Sequence, residues 1–506
     1  MKQAIEPILI RGEWVSSSSN TSFQAVNPKT TQSLPAYFPV SSWADIEAAL
    51  VSAEAAFTQL QDMPDTLRAD FLETCAALLE SQKASLVEAA TLETGLPAEP
   101  RLGTNELPRT CDQLRQAAQA VRQKTWQMPT IDAARNIRSC YIPLGPTLVI
   151  GPNNFPFAYN SIAGGDFASA VAAGCPVLAK GHPAHPNTTK LLAEQVQLAA
   201  KMTGLPPGTV QLLYHLEPAD GLKLVADRRI AAIGFTGSKA TGLALKQVAD
   251  EHGKPIFLEM GSLNPVVILP GALEERSTAL LDEVTGSCLL GMGQFCTNPG
   301  LLFFLAGERT EKFLHAMVEK YQSAPVGTLL TQGVLENLSK SVKALQESGA
   351  TLLAGGQPGG GQGYSYQHTL LRTSGSVFLK SSIGLQREAF GNATLAVICQ
   401  SEAELHQVLK VLEGQLVGSI YSDTTGKDDD SYRPLERILR NKVGRLLNDK
   451  MPTGVMVSPA MNHGGPFPAT GHPHFTAVGF PASIRRFCML ASYDHVRPHR
   501  LPEILR

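Results

Sequence analysis

Near its start the chain places apolar residues at helical spacing, and further on it changes to short apolar runs separated by amphipathic stretches. Ser42, Trp43, Ala44 and Asp45 form a capping-box signature ahead of Ile46, Leu50, Ala53 and Phe57, which predicts an amphipathic helix from Ser42 to Leu60. A second helical stretch runs from about Asp65 to Thr94, with a break inside it, and stops at Gly95 and Pro97. From about Pro146 the strands PTLVI, PVLAK, TVQLLY and IAAIGF alternate with the helical GGDFASAVAAG, TTKLLAEQVQLAAKM, PADGLKLVAD and TGSKATG. Parallel neighbours need a crossover between them, so this alternation predicts a doubly wound parallel sheet that binds a nucleotide.

A second alternating region begins near Asn264 with PVVILP. It continues through a helix around Leu280 to Leu290, the strand LLFFLA and the helix EKFLHAMVEKYQ, predicting a second α/β domain. Between Thr125 and Tyr141, two extended segments flank a polar turn and predict a projecting hairpin. The run AGGQPGGGQG, from Ala354 to Gly363, lacks the lysine and following helix of a P-loop and reads as a flexible surface loop. The acidic GKDDD near Asp428 reads as a solvated loop.

Length and composition narrow the classes. A chain of 506 residues exceeds one ordinary core and fits two or three packed units. With 43 Lys and Arg against 45 Asp and Glu, no broad basic face for nucleic acid or anionic lipid is implied, which leaves small molecules as the expected partners. The N-terminal MKQAIEPILIRGEW lacks the regions of a signal peptide, and no apolar run reaches the length of a membrane span, so the cytoplasm is the expected location. The eight cysteines form no CxxC pair and read as reduced thiols.

Five strings carry the chemistry: GPNNFPF (Gly151 to Phe157), GFTGSKATG (Gly234 to Gly242), LEMGSLNP (Leu258 to Pro265), GQFCTNPG (Gly293 to Gly300) and EAFGN (Glu388 to Asn392). Oxidising an aldehyde by hydride transfer first requires a tetrahedral adduct. That calls for a nucleophile, an oxyanion donor, a base for water and a cofactor cleft. In this order and at these separations the strings resemble the aldehyde dehydrogenase superfamily, and the resemblance covers nearly the whole chain.

The resemblance implies roles for particular residues. Cys296 matches the nucleophile, which is reactive as a thiolate, whereas Cys288 lacks a motif and reads as core packing. Asn154 matches the amide that holds the oxyanion together with the Cys296 N–H, although Asn153 stands where tryptophan is common. Glu259 matches the general base, with Ser262 and Leu263 altering its usual surroundings. Gly237 and Ser238 match a strand-to-helix turn suited to pyrophosphate. Glu388 and Phe390 match contacts to the nicotinamide ribose and ring, with Asn392 replacing a common proline.

Lys180 matches the lysine that reaches the adenosine ribose. Pro183 follows where many NAD-preferring relatives carry a glutamate, so NADP is the expected cofactor and NAD remains possible. No metal site is expected of GHPAHP, His463, His472 or His474, because prolines interrupt any regular ligand display and no cysteine or carboxylate cluster is visible beside them.

The fold implied is α/β, aldehyde dehydrogenase-like. A Rossmann-like cofactor domain covers 1–124 and 144–264, an α/β catalytic domain 265–484, and a small β oligomerisation extension 125–143 and 485–506. The extension implies a homo-oligomer, a homodimer in the first instance. Within the superfamily, AGGDFASAVAAGCPVLAKGHPAHP, GQFCTNPG and HGGPFPAT look most like a bacterial branch of 2-oxoglutarate semialdehyde and fatty-aldehyde dehydrogenases. The semialdehyde is therefore the leading substrate and a medium or long aliphatic aldehyde the second. A cofactor-independent cysteine esterase or amidase, using Cys296 and Glu259, is the alternative of another class, and it leaves the nucleotide motifs unexplained.

Overall fold

The computed structural model describes residues 4–506, organised by two seven-stranded sheets and a three-stranded one. In spatial order the first sheet runs Ile256–Glu259, Ala232–Thr236, Thr147–Ile150, Val177–Lys180, Val210–Leu213, Ile8–Ile10 and Glu13–Val15. Its first five strands are parallel, and Ile8–Ile10 pairs antiparallel with both Val210–Leu213 and Glu13–Val15. Leu148, Val149, Val177, Leu178, Leu212 and Leu213 are all buried, as expected of strands covered by helices on both faces. From Thr147–Ile150 the chain first builds outward through Val177–Lys180, then returns to the other side through Ala232–Thr236. That reversal opens a crevice beyond the carboxyl ends of the strands.

The helical lead-in follows its sequence signals. Ser42 Oγ accepts from the Asp45 N–H and the Asp45 carboxylate accepts from the Ser42 N–H, capping Trp43–Leu60. The stretch from Asp65 divides at Gln82 into Asp65–Ser81 and Lys83–Thr94, and Gly95 closes it with φ of 69°.

The second sheet has the order Thr351–Ala354, Thr369–Ser374, Ala393–Cys399, Leu301–Leu305, Val266–Ile268, Gln415–Tyr421 and Val443–Asn448, parallel except for its first pair. Two expectations change here. The helix placed around Leu280 to Leu290 begins at Pro270 and ends at Leu289. GKDDD is not simply a solvated loop, because Asp428 is buried and accepts from the N–H groups of Gly271 and Ala272. A carboxylate placed on those free N–H groups anchors the helix start, which explains both differences. The glycine-rich run after Ala354 is mostly exposed.

Thr130–Asp132 and Ile137–Pro143 form the expected hairpin, and Cys488–Asp494 pairs antiparallel with Ile137–Pro143. Before reaching that strand the chain crosses back to the first sheet. The Met260 N–H donates to the Ala469 carbonyl at 2.8 Å, and Phe480, Ile484 and Phe487 join the first core.

Candidate active site

An open cleft of about 360 Å³ lies beyond the ends of the strands that finish at Ile150, Lys180, Thr236 and Glu259. All eight residues singled out in the sequence line it: Asn154, Lys180, Gly237, Ser238, Glu259, Cys296, Glu388 and Phe390. Strand ends bring in Lys180 and Glu259, while the loops after strands bring in Asn154, Gly237 and Ser238. Cys296 and Phe390 come from the second sheet's connections.

At the chemical end, His463 Nε2 lies 3.6 Å from the Cys296 sulfur and 2.7 Å from Glu259 Oε1. With its proton on Nε2, the imidazole donates to the carboxylate, and the same N–H is a donor within reach of the sulfur. Burial, and after it the Glu259 charge, push the Cys296 thiol well above its ordinary range, while the Arg109 charge acts the other way. Among the described residues, Glu259, Cys296 and His463 offer ligand atoms within 4.8 Å of one another. The sequence showed no cysteine or carboxylate near His463, yet the fold supplies both.

The nucleophile loop is clamped by Asn264, whose amide donates to the carbonyls of Cys296 and Asn298, both at 2.8 Å. Gly293, with φ of 65°, lets this loop press against the Gly391 backbone, where any Cβ would collide. Asn154 is buried, and its Nδ2 donates to the Gln294 carbonyl at 3.0 Å, leaving one amide N–H for another acceptor. Its loop is held from three sides. Buried Glu106 accepts from the N–H groups of Phe157 and Ala158, Arg101 pairs with Glu106 and donates to the Asn154 carbonyl, and His185 Nε2 meets the Pro152 carbonyl at 3.0 Å.

At the other end, Ser238 caps Lys239–Glu251 by accepting from the Thr241 N–H, and Gly237 precedes it. The free N–H groups of that first helical turn suit an anionic group. Glu388 accepts from the Ser262 N–H at 3.2 Å, and burial raises its carboxyl to about 7. Its carboxylate fills the space a Cβ at Gly261 would occupy. Burial also lowers Lys180 to about 8. Asn392 is explained by its surroundings: it is buried, donating to the Tyr366 carbonyl and facing His368 Nδ1.

Several site residues escaped the sequence reading. His463 was set aside as a metal ligand, and Glu106, Arg101, Arg109 and Tyr159 had no motif of their own. The available signal was HGGPFPAT, which begins with His463 and had pointed only to a branch of relatives.

A crevice at the switch point of a parallel sheet, with anion-binding N–H groups at one end and a thiol, a carboxylate and an amide at the other, is the arrangement of a dinucleotide-using enzyme with a cysteine nucleophile. The chain belongs to the aldehyde dehydrogenase family, whose profile matches residues 14–435. It is accordingly an enzyme that oxidises a small-molecule aldehyde with a nicotinamide cofactor. Similar relatives include alpha-ketoglutaric semialdehyde dehydrogenase 2 of Azospirillum brasilense, 37% identical with 99% of this chain and 96% of that protein covered. Another is the alpha-ketoglutaric semialdehyde dehydrogenase of Acinetobacter baylyi, 34% identical over 98% of this chain and 95% of that protein. Among solved structures, a point mutant of 1-pyrroline-5-carboxylate dehydrogenase from Thermus thermophilus superposes with a TM-score of 0.83 at 23% identity, covering 96% of this chain and 92% of that one. An NAD+ complex of aldehyde dehydrogenase from Bacillus cereus gives 0.82 at 20% identity, covering 97% and 96%. Among the described residues, no helix is long and apolar enough to cross a membrane.

Proposed function

We propose that this enzyme oxidises 2-oxoglutarate semialdehyde to 2-oxoglutarate through a thioester on Cys296, with NADP as preferred acceptor and NAD also used. The observation that carries the mechanism is the contact series Cys296, His463 and Glu259, at 3.6 and 2.7 Å. The substrate rests on the two full-length relatives that act on alpha-ketoglutaric semialdehyde.

In this reading Glu259 takes the thiol proton and the His463 N–H turns from the carboxylate to the thiolate that forms. The sulfur attacks the aldehyde carbon, and the oxyanion of the thiohemiacetal receives the free Asn154 N–H and the Cys296 N–H. Both donors are neutral, so they hold the charge without trapping it when the carbonyl re-forms. Gly237 and Ser238 hold the pyrophosphate, Lys180 the adenosine ribose, and Glu388 and Phe390 the nicotinamide ribose and ring. When bound, the cofactor supplies the hydride acceptor. Once the thioester has formed, Glu259 releases the thiol proton to solvent; it then takes a proton from water, the hydroxide adds to the thioester carbon, the Cys296 thiolate is expelled, and the carboxylate product leaves.

Pro183 places no carboxylate beside the ribose, so a 2′-phosphate meets no repulsion there, which supports NADP. The cofactor domain comprises 1–124 and 144–264, the catalytic domain 265–484, and the extension 125–143 and 485–506, except that the stretch from Phe480 to Phe487 packs back onto the cofactor domain's core. Met489 and Leu490 are exposed on the outer strand of that extension, which supports a homodimer through this sheet. Localisation to the cytoplasm accompanies this reading.

A medium- or long-chain aliphatic aldehyde is the second reading, favoured by the apolar cluster of Phe155, Tyr159, Val478 and Phe295 beside Cys296. Reduced-cofactor formation with 2-oxoglutarate semialdehyde and with hexanal, each with NADP and NAD, decides between them. The proposal expects semialdehyde-selective, NADP-preferring turnover that disappears in Cys296→Ala while cofactor binding persists. Hexanal-selective turnover would replace it with the aliphatic reading, and an active Cys296→Ala would reject the mechanism.

A further inference from the structure

Arginines on the helix Leu107–Gln123 differ in how they are paired. Arg115 meets both carboxylate oxygens of Glu80, and Arg122 meets Glu73 and Asp70. Arg109, by contrast, has no carboxylate partner among the described residues. Its only side-chain partner among them is the Tyr159 hydroxyl, at 3.1 Å, and its Nε is buried without a partner. An unmet buried donor is destabilising unless a ligand satisfies it, and a guanidinium is shaped to receive a carboxylate through two parallel N–H groups.

The position of Arg109 gives this unmet group a use. Its guanidinium carbon lies 5.2 Å from the centre of the Tyr159 ring and 5.8 Å from that of Phe155. The Tyr159 ring is 5.9 Å from the His463 ring, and Phe155 is 5.7 Å from Phe295, the neighbour of Cys296. Arg109 therefore stands one aromatic layer from the nucleophile. Two other arginines near the site share a buried Nε without a partner, but their terminal nitrogens are committed: those of Arg101 to Glu106 and the Asn154 carbonyl, and that of Arg445 to the carbonyls of Pro452 and Gly454. Because Tyr159 accepts from Arg109, its own O–H proton is left to donate elsewhere.

We propose that Arg109 and Tyr159 form a carboxylate-binding subsite that selects aldehydes carrying a second, remote acid group. Arg109 receives the carboxylate and Tyr159 donates to the same group or to a neighbouring keto oxygen. In a five-carbon semialdehyde, four carbon–carbon bonds separate aldehyde and carboxyl carbons, about 5 Å when extended. That reach matches a site across one aromatic layer. The charge of Arg109 already bears on the Cys296 thiol, so the two belong to one electrostatic environment. This inference rests on the acid-aldehyde reading above.

The test compares kcat/KM for 2-oxoglutarate semialdehyde and for hexanal in wild type, Arg109→Gln, Arg109→Lys and the control Arg115→Gln. The semialdehyde-to-hexanal ratio should fall about 100-fold in Arg109→Gln, mainly through KM, and about tenfold in Arg109→Lys, which keeps charge but loses the planar fork. Arg115→Gln should match wild type, and a thermal melt checks that each variant is folded. Calorimetry with 2-oxoglutarate itself should show binding to wild type and its loss in Arg109→Gln. An unchanged ratio and unchanged 2-oxoglutarate binding in folded Arg109→Gln would overturn the subsite and leave the substrate reading standing. A wild type that prefers hexanal would overturn the substrate reading, and the subsite with it.

Discussion

His463 Nε2 and Glu259 Oε1 lie 2.7 Å apart, with both side chains buried. A carboxylate at the end of one sheet strand thus meets an imidazole delivered by the returning chain, and the Cys296 sulfur sits on the same nitrogen. Desolvation strengthens such contacts, so the behaviour of the thiol should depend on both partners.

The Cys296 thiol is raised by burial and by Glu259, so its thiolate fraction increases with pH through the neutral range and above it. Alkylation of Cys296 by iodoacetamide, followed by intact mass, should accelerate about tenfold per pH unit between 7 and 9 with no plateau. His463→Ala should slow the reaction at pH 8 by about tenfold, and His463→Gln, which keeps an N–H donor, should recover part of it. A plateau below pH 8, or equal rates in all three proteins, would contradict this account.

Glu388 has its carboxyl raised to about 7 by burial. Its ionised form is the better acceptor for ribose hydroxyls, so cofactor affinity should increase as pH rises through 7 and decline as the group protonates below it. Fluorescence titration with NAD from pH 6 to 8 should reveal this slope in wild type and a flatter profile in Glu388→Gln. The same slope in both proteins would assign it to another group.

Pro183→Glu restores a negative side chain to the position following Lys180, Gly181 and His182. Repulsion between that charge and a ribose phosphate should weaken NADP relative to NAD by about tenfold or more in kcat/KM. The ratio of the two cofactors in the variant checks this, and an unchanged ratio would mean that Pro183 does not face the phosphate.

Asp428→Ala removes the acceptor for the N–H groups of Gly271, Ala272 and Asp423. Leaving buried donors unmet should destabilise the second sheet's unit by about 1–3 kcal/mol. Thermal unfolding should show a lowered transition, with kcat little changed at 25 °C because the cap lies away from the cleft. A melting profile matching wild type would mean that the Asp428 cap adds nothing to stability.

Much of the architecture was legible because it follows from local periodicity. The Ser42 cap, the presence of a break between Asp65 and Thr94 though not its place at Gln82, and the alternation from Thr147–Ile150 to Ile256–Glu259 each depend on neighbours a few residues away. The eight motif residues were legible as a set because the strings that carry them resemble the aldehyde dehydrogenase superfamily, and the fold gathers all eight into one cleft. The start of Pro270–Leu289 was not, since its cap is supplied by Asp428, 157 residues from Gly271.

By itself, then, the sequence determined the alternation of strands and helices, the crevice-forming loops and the identities of thiol, carboxylate and amide. Tertiary structure alone decided their company: His463 reaches Cys296 across 167 residues and Glu259 across 204, and Arg109 meets Tyr159 across 50. Periodicity reports which face of an element is buried, whereas the partner on that face depends on where the chain crosses back. The return past Ala469, hydrogen-bonded to Met260, makes that choice for this site.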